Sequence, residues 1–195
     1  MAQTTVFAPI ALAAKQVALG ALDPSAPSIP SPSNIVYPAD ALYFACDLVH
    51  EGPNNNGDVF LYEEMEKSWK QLIGMAVDRD HIMTVDGAVG QIYDARFLRV
   101  TGKGVIRVAG FVNTGFYPEI GWKLRSGIVQ GVSMECLFAQ GQPSVLGRVL
   151  RGIRFIGMGL TRVPADDKSW IDNTRDSHVT ASRRDLLVVA AAKSL

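Results

Sequence analysis

The chain has few cysteines, few histidines and no excess of charge of either sign. Its 195 residues include two cysteines and three histidines, and 19 basic side chains balance 19 acidic ones. Two cysteines are too few for a disulfide framework, and no CxxC or Cys/His cluster indicates a zinc site. Zero net charge gives no reason to expect a broad surface for nucleic acid or anionic lipid. Because disulfides are rare in reducing compartments, the small number of cysteines leads us to expect a protein of a reducing cytoplasm.

The sequence also lacks an apolar run long enough to predict a membrane span. The best candidate, residues 6–22, is interrupted by Pro9, Lys15 and Gln16. Its first charge comes too late for the basic start of a secretory signal. We interpret it as an amphipathic arm or short helix. The proline- and serine-rich segment 23–34 that follows predicts an extended linker.

The chain does contain enough apolar sequence for a sizeable core, because 48% of its residues are hydrophobic. Apolar runs predict strands, and one amphipathic segment and one short segment predict helices, over the following residues: strands 41–49, 88–98, 104–113, 128–139 and 149–163, helices 60–73 and 118–126, and a turn-rich loop 51–58. We expect an α+β fold with a mostly antiparallel β-barrel or half-barrel and a few flanking helices. The expected organisation is an arm and linker over 1–34, a main domain over 35–175 and a tail over 176–195.

Two residues are the candidates for chemistry. His81 lies in the polar sequence VDRDHIMTVDG, and Ser133 lies in the apolar run GIVQGVSMECLFA. Taken alone, the pattern around His81 is more typical of a solvated loop histidine, and that around Ser133 of a satisfied core hydroxyl. Glu135 stands where GxSxG requires its second glycine, so the nucleophile elbow of the α/β-hydrolases is not supported. The pair gains interest because serine hydrolysis needs a base within hydrogen-bond reach of the hydroxyl.

An ordered series of short motifs resembles the prohead maturation proteases of tailed bacteriophages, which are distant relatives of the herpesvirus assemblins. Trp170 and Ile171 follow the last motif, and the resemblance covers about two-thirds of the chain. The motifs are N-x-N-G-D-x-F (54–60), W-K-x-L-I-G (69–74), D-H (80–81), V-G-x-I-x-D-A (89–95), P-E-I-x-x-K-L-x-x-G (118–127), G-V-S-M (131–134) and G-L-T-x-x-P-A-D (159–166).

The resemblance implies a herpesvirus-protease-like fold and a serine endopeptidase in which His81 is the base and Ser133 the nucleophile. It implies cleavage of the phage scaffold, of the major capsid protein and of the protease itself, inside the assembling procapsid in the bacterial host cytoplasm. Self-cleavage is expected in the linker or near Ala181. No metal or organic cofactor, no membrane and no direct nucleic-acid contact are implied. A homo-oligomer follows only by analogy with the herpesvirus relatives.

The residue that orients His81 is left open by the sequence. Several branches of the family carry an acidic residue where this chain has Gly157. Asp80, Asp94 and Glu135 are the candidates for that role, and each is also typical of an ordinary polar or structural residue. A bare Ser–His dyad would be slower, because a fixed imidazole tautomer contributes a large factor in rate. For the oxyanion, glycines within 151–159 suggest backbone N–H donors.

Two other hypotheses remain at this point. The chain could be a non-catalytic capsid or procapsid component that keeps a protease-like fold, an idea supported by Gly157. It could also be an unrelated β-rich accessory or decoration protein. The separation of the Ser133 hydroxyl and the His81 ring discriminates among them, because a loosely formed pair is expected within about 3–4 Å.

Overall fold

The computed structural model describes residues 35–176, so the predicted arm, linker and tail lie outside the described residues, apart from Asp176. Helix α1 (Tyr62–Ser68) runs into a 3₁₀ turn (Trp69–Leu72), and α2 (Pro118–Arg125) begins at a proline, which suits the first turn of a helix. The strands are β1 (Ala41–His50), β2 (Gly52–Pro53), β3 (Asp58–Phe60), β4 (Ala76–Arg79), β5 (Ala88–Val100), β6 (Lys103–Asn113), β7 (Gly131–Leu137), β8 (Gln140–Ser144), β9 (Gly147–Arg151), β10 (Arg154–Thr161) and β11 (Ile171–Asp176).

Seven strands form a curled half-barrel in the order β11-β1-β6-β5-β4-β10-β7. Its two edge strands approach each other, because Trp170 bridges Gly131 and the Ile171 N–H donates to the Gln130 carbonyl at 2.7 Å. A smaller sheet has the order β2-β3-β9-β8. Most neighbours are antiparallel, with β4–β10 and β3–β9 parallel. The predicted α+β class and the mostly antiparallel half-barrel with flanking helices are thus confirmed.

One face of the sheet around β10 packs into the apolar core, and the other carries the candidate site. Val77, Val132 and Met158 are fully buried in the main core cluster. Because side chains alternate between the two faces of a strand, the residues next to them in sequence point the other way. That opposite face receives Asp78 from β4 and Ser133 from β7, and these two are among the buried polar residues.

The structure corrects several predicted elements. The predicted helix over 60–73 begins at Tyr62 and changes to a 3₁₀ turn at Trp69. The predicted loop over 51–58 contains β2 and the start of β3. Strands β4, β8 and β11 were not predicted, since short or polar segments carry little periodicity and are extended only because a neighbouring strand pairs with them. Among residues 35–176, no helix is long and apolar enough to cross a membrane.

Candidate active site

The candidate site lies on the three neighbouring strands β4, β10 and β7. Gly159 of β10 pairs with Asp78 of β4 on one side and with Ser133 of β7 on the other. Gly157, two residues earlier, pairs with Glu135 of β7. Residues that are directly paired across strands share a face of the sheet. Asp78, Ser133 and Glu135 therefore surround Gly157 and Gly159, which we call the glycine floor.

His81 reaches this floor through a tight turn after β4. The Asp80 N–H donates to the Leu160 carbonyl of β10 at 2.9 Å, and the Ile82 N–H donates to the Arg79 carbonyl at 3.1 Å. Asp80 and His81 have φ of 52° and 61°, in the left-handed region that non-glycine residues seldom adopt. Consecutive residues in this region store strain, which clusters at functional sites. Here the conformation turns His81 back over β10.

The glycine floor provides the room that His81 and Glu135 occupy. A Cβ built on Gly159 would lie 2.9 Å from His81 Nδ1 and 3.0 Å from the His81 backbone nitrogen. A Cβ built on Gly157 would lie 2.7 Å from Glu135 Oε2. A contact under 3.0 Å requires one of the two groups to shift, and at Gly157 the atom that would be displaced is the end of the Glu135 side chain. The Glu135 carboxylate thus fills the space above Gly157.

Glu135 is the candidate acid that the structure brings to His81. His81 Nδ1 lies 3.0 Å from Glu135 Oε1, and the Glu135 side chain is only 4% exposed. Asp94 instead pairs with Arg96 at 3.6 Å, on β5. The Asp80 carboxylate forms no hydrogen bond or ion pair with another described residue. Of the three candidates, only Glu135 has the contact that an orienting acid needs.

Asp78 is a fourth member of the cluster, and the sequence pattern did not indicate it. Burial, the negative charge of Glu135 and a hydrogen bond with Glu135 raise the pKa of Asp78 from 3.8 to about 6, although the nearby His81 opposes the rise. No signal in the sequence could have found this contact, because it depends on β4 lying beside β10.

The Ser133 side chain faces His81 from the next strand. The Cβ atoms of directly paired residues are about 4.5–5.5 Å apart. Combined with the Gly159 geometry, this pairing places Ser133 Cβ within about 8 Å of His81 Nδ1. In the described part of the chain, however, the Ser133 hydroxyl forms no hydrogen bond with His81. Both side chains lie above the glycine floor, but no hydrogen bond joins the Ser133 hydroxyl to the His81 ring.

The Ser133 hydroxyl differs from those of two other buried serines in its hydrogen bonding. Two other buried serines are satisfied in the ordinary way: Ser68 donates to the Glu64 carbonyl at 2.5 Å and Ser169 to the Leu48 carbonyl at 2.9 Å. Ser133 is 8% exposed and its hydroxyl has no partner within residues 35–176. Among the described residues, the fully buried side-chain atoms without a partner are Arg79 Nε and Arg107 Nε, so the Ser133 oxygen keeps some exposure to solvent.

The predicted oxyanion donors in 151–159 are not supported. Most of this segment lies in β10, which is paired on both sides, so its N–H groups serve the sheet. The outer edge of β7 is the alternative. At that edge, the Val132 N–H donates to the Ser169 carbonyl at 3.0 Å. The Met134 N–H, two residues further along the strand, points to the same edge and directly follows Ser133.

A second histidine, His50 at the end of β1, forms hydrogen bonds with Asp166 of the 159–166 motif. Its Nδ1 lies 2.8 Å from Asp166 Oδ2, its backbone N–H donates to the same oxygen at 2.9 Å, and its Nε2 lies 3.7 Å from Asp47. A mostly apolar recess adjoins this segment. The residues that line it are Leu48, Val49, Asn54, Phe60, Ser133, Met134, Ala165 and Asp166. The His50–Asp166 contact therefore holds the loop that borders Ser133.

In the described part of the chain, no group of His, Cys, Asp and Glu side chains has an arrangement that could hold a metal ion. No protein-family model matches the chain, and no curated protein matches it.

Proposed function

We propose that this protein is a serine endopeptidase of the phage prohead maturation type, with Ser133 as nucleophile, His81 as base and Glu135 as the acid that orients His81. The observation that carries the proposal is the 3.0 Å contact between His81 Nδ1 and Glu135. A carboxylate at Nδ1 favours the tautomer with its proton there, which leaves the Nε2 lone pair free to accept a proton. That is the state a serine hydrolase requires of its base.

The reaction is acyl transfer. His81 Nε2 removes the Ser133 proton as the serine oxygen bonds to the scissile carbonyl carbon, and Glu135 stabilises the imidazolium that forms. The Met134 N–H on the open edge of β7 is a donor suited to the oxyanion. His81 then gives its proton to the amine as the C–N bond breaks. Water, deprotonated by His81, hydrolyses the acyl-enzyme and releases Ser133.

In the proposed assignment, the curled sheet is of the herpesvirus-protease kind and the substrates are phage proteins. These are scaffold, the major capsid protein and the enzyme itself, cut within the procapsid in the bacterial host cytoplasm. The ordered motifs from Asn54 to Asp166 support this part, together with their meeting at one floor: D-H, G-V-S-M and G-L-T all contribute to it. A homo-oligomer belongs to the proposal by analogy alone.

The test uses diisopropyl fluorophosphate, a reagent that phosphorylates the nucleophile of serine hydrolases, and needs no natural substrate. Attack by the Ser133 oxygen on phosphorus expels fluoride, and His81 takes the serine proton. We expect a covalent adduct that peptide mass spectrometry locates on Ser133, with none in Ser133→Ala and little in His81→Ala. Ser144→Ala is the matched control, since Ser144 is exposed and its hydroxyl donates to the Gly147 carbonyl. Equal labelling of wild type and Ser133→Ala would refute the assignment.

Co-expression with the phage scaffold and capsid proteins then tests the substrates. Intact mass spectrometry should find fragments with the wild type that vanish with Ser133→Ala. Uncut proteins in both samples, with assembly otherwise normal, would contradict these substrates.

A second candidate is a non-catalytic capsid or procapsid component with the same fold. The observation that favours it is the absence, among the described residues, of a hydrogen bond between Ser133 and His81. It predicts no adduct on Ser133 and normal assembly with the Ser133→Ala variant.

A further inference from the structure

Asp78 occupies a position behind Glu135 that the proposed catalytic mechanism does not use. Asp78 and Ser133 pair with Gly159 from opposite sides, and Asp78 is only 4% exposed although it carries an ionisable group. Burial, the charge of Glu135 and a hydrogen bond with Glu135 raise the pKa of Asp78, and Glu135 Oε1 in turn lies 3.0 Å from His81 Nδ1. Burial and a neighbouring like charge both favour the protonated form of a carboxyl.

We propose that Asp78 is a positioning residue that acts through Glu135, holding its carboxylate toward His81 and setting the charge behind the imidazole. The order of contacts is Asp78 to Glu135 to His81, with Ser133 on the far side of the glycine floor. Asp78 itself would touch neither substrate nor the reacting atoms. Its effect on catalysis rests on the proposed function, whereas its pairing with Glu135 does not.

The surroundings of Asp78 leave few other groups to control it. On the strands beside it, the facing residues Gly157 and Gly159 of β10 and Ala88 of β5 carry no charge. The charged groups that act on it are Glu135 from β7 and His81 from the turn after β4. Because burial and Glu135 both favour the protonated form, Asp78 loses its proton near pH 6 rather than near its ordinary value. Glu135 therefore gains a negative neighbour as the pH rises through that range.

The first test measures the carboxyl carbons by NMR in protein labelled with ¹³C-Asp and ¹³C-Glu, in an inactive Ser133→Ala background. We expect the Asp78 signal to titrate near pH 6 and the Glu135 signal to respond in the same range. Asp78→Asn should abolish that response, whereas the matched control Asp86→Asn, an exposed acid of the same turn, should keep it. An Asp78 midpoint in the ordinary range near about 4, or an unchanged Glu135 curve in Asp78→Asn, would overturn the inference.

The second test measures the rate of diisopropyl fluorophosphate labelling of Ser133 across pH 5–9. The amide introduced by Asp78→Asn would still donate to Glu135, so this variant should label Ser133 at close to the wild-type rate below about pH 6, where the wild-type Asp78 carboxyl is protonated. Asp78→Ala lacks the donor and should slow labelling in that same range about 10- to 100-fold, the scale of a lost hydrogen bond to a charged group. Full rates in Asp78→Ala, or equal losses in the two variants, would refute a positioning role.

The two tests separate the inference from the proposed function. If wild-type Ser133 is not labelled at all, the proposed protease activity fails, and the NMR titration still decides whether Asp78 and Glu135 share a proton. Far-ultraviolet circular dichroism of each variant identifies a loss of fold, and Asp78→Asn, which is isosteric, is the variant expected to keep it.

Discussion

Removing the His50 imidazole should change how the stability of the protein depends on pH. His50 is held between Asp166 and Asp47, with 17% of its side chain exposed. Burial alone would lower its pKa, but hydrogen bonds to Asp166 and Asp47 and their charges raise the pKa of His50 from 6.5 to about 9. The folded state therefore binds the His50 proton more tightly than the unfolded chain does. The perturbation we choose is His50→Gln.

The difference between 6.5 and about 9 corresponds to at most about 3 kcal/mol of unfolding free energy. Because the folded-state pKa is the higher one, this stabilisation is fully present below pH 6.5 and is lost as the pH rises toward 9. At low pH the stabilisation also requires that Asp166 and Asp47 stay ionised. Burial opposes their ionisation, but hydrogen bonds from His50 prevail and lower both pKa values, so protonation of these acids removes the stabilisation only below their ordinary range. Allowing for solvent screening, we expect about 2 kcal/mol between pH 6 and pH 9.

Urea denaturation at pH 6 and pH 9 measures this effect. Wild type should lose about 2 kcal/mol more than His50→Gln between the two pH values, and the subtraction cancels other groups that titrate in the same range. Asp166→Asn should behave like His50→Gln. Lys103→Gln is the control, because it removes one positive charge from an exposed position and should keep the wild-type slope. If His50→Gln retains the full wild-type pH dependence, the assignment of the effect to His50 is wrong.

Three further perturbations test the rest of the architecture. Glu135→Gln should slow diisopropyl fluorophosphate labelling of Ser133 by up to about 10⁴-fold, because the amide no longer stabilises the imidazolium; labelling at the wild-type rate would contradict its orienting role. Gly159→Ala should abolish labelling while the protein still folds, because the new Cβ would lie 2.9 Å from His81 Nδ1 and displace the ring; an unaffected rate would show that the ring is elsewhere. Arg107→Ala should lower the urea-unfolding free energy by about 2–4 kcal/mol, since this 5% exposed guanidinium pairs with two carboxylates that would lose their partner; a loss below about 0.5 kcal/mol would refute a structural role.

The sequence alone determined the elements whose pattern is strong. Strands β1, β5 and β6 and helix α2 were predicted close to their observed bounds, because alternation, turn residues and an N-terminal proline act locally. The motifs also singled out His81 and Ser133 as a pair and kept Glu135 among three candidate acids. The sequence could not choose among positions 80, 94 and 135, because it does not show which of these carboxylates the fold brings to His81.

Tertiary structure decided which of these residues meet. Strand β4 has four residues and little pattern of its own, yet its parallel pairing with β10 brings Asp78 to the floor and starts the turn that carries His81. The register of β10 with β7 sets Glu135 opposite Gly157, and a shift of one residue would turn Glu135 into the core. Pairing between strands far apart in sequence depends on the packing of the whole sheet. For that reason the sequence could nominate candidate residues, and only the fold could bring Glu135 to His81 and Asp78 to the same floor.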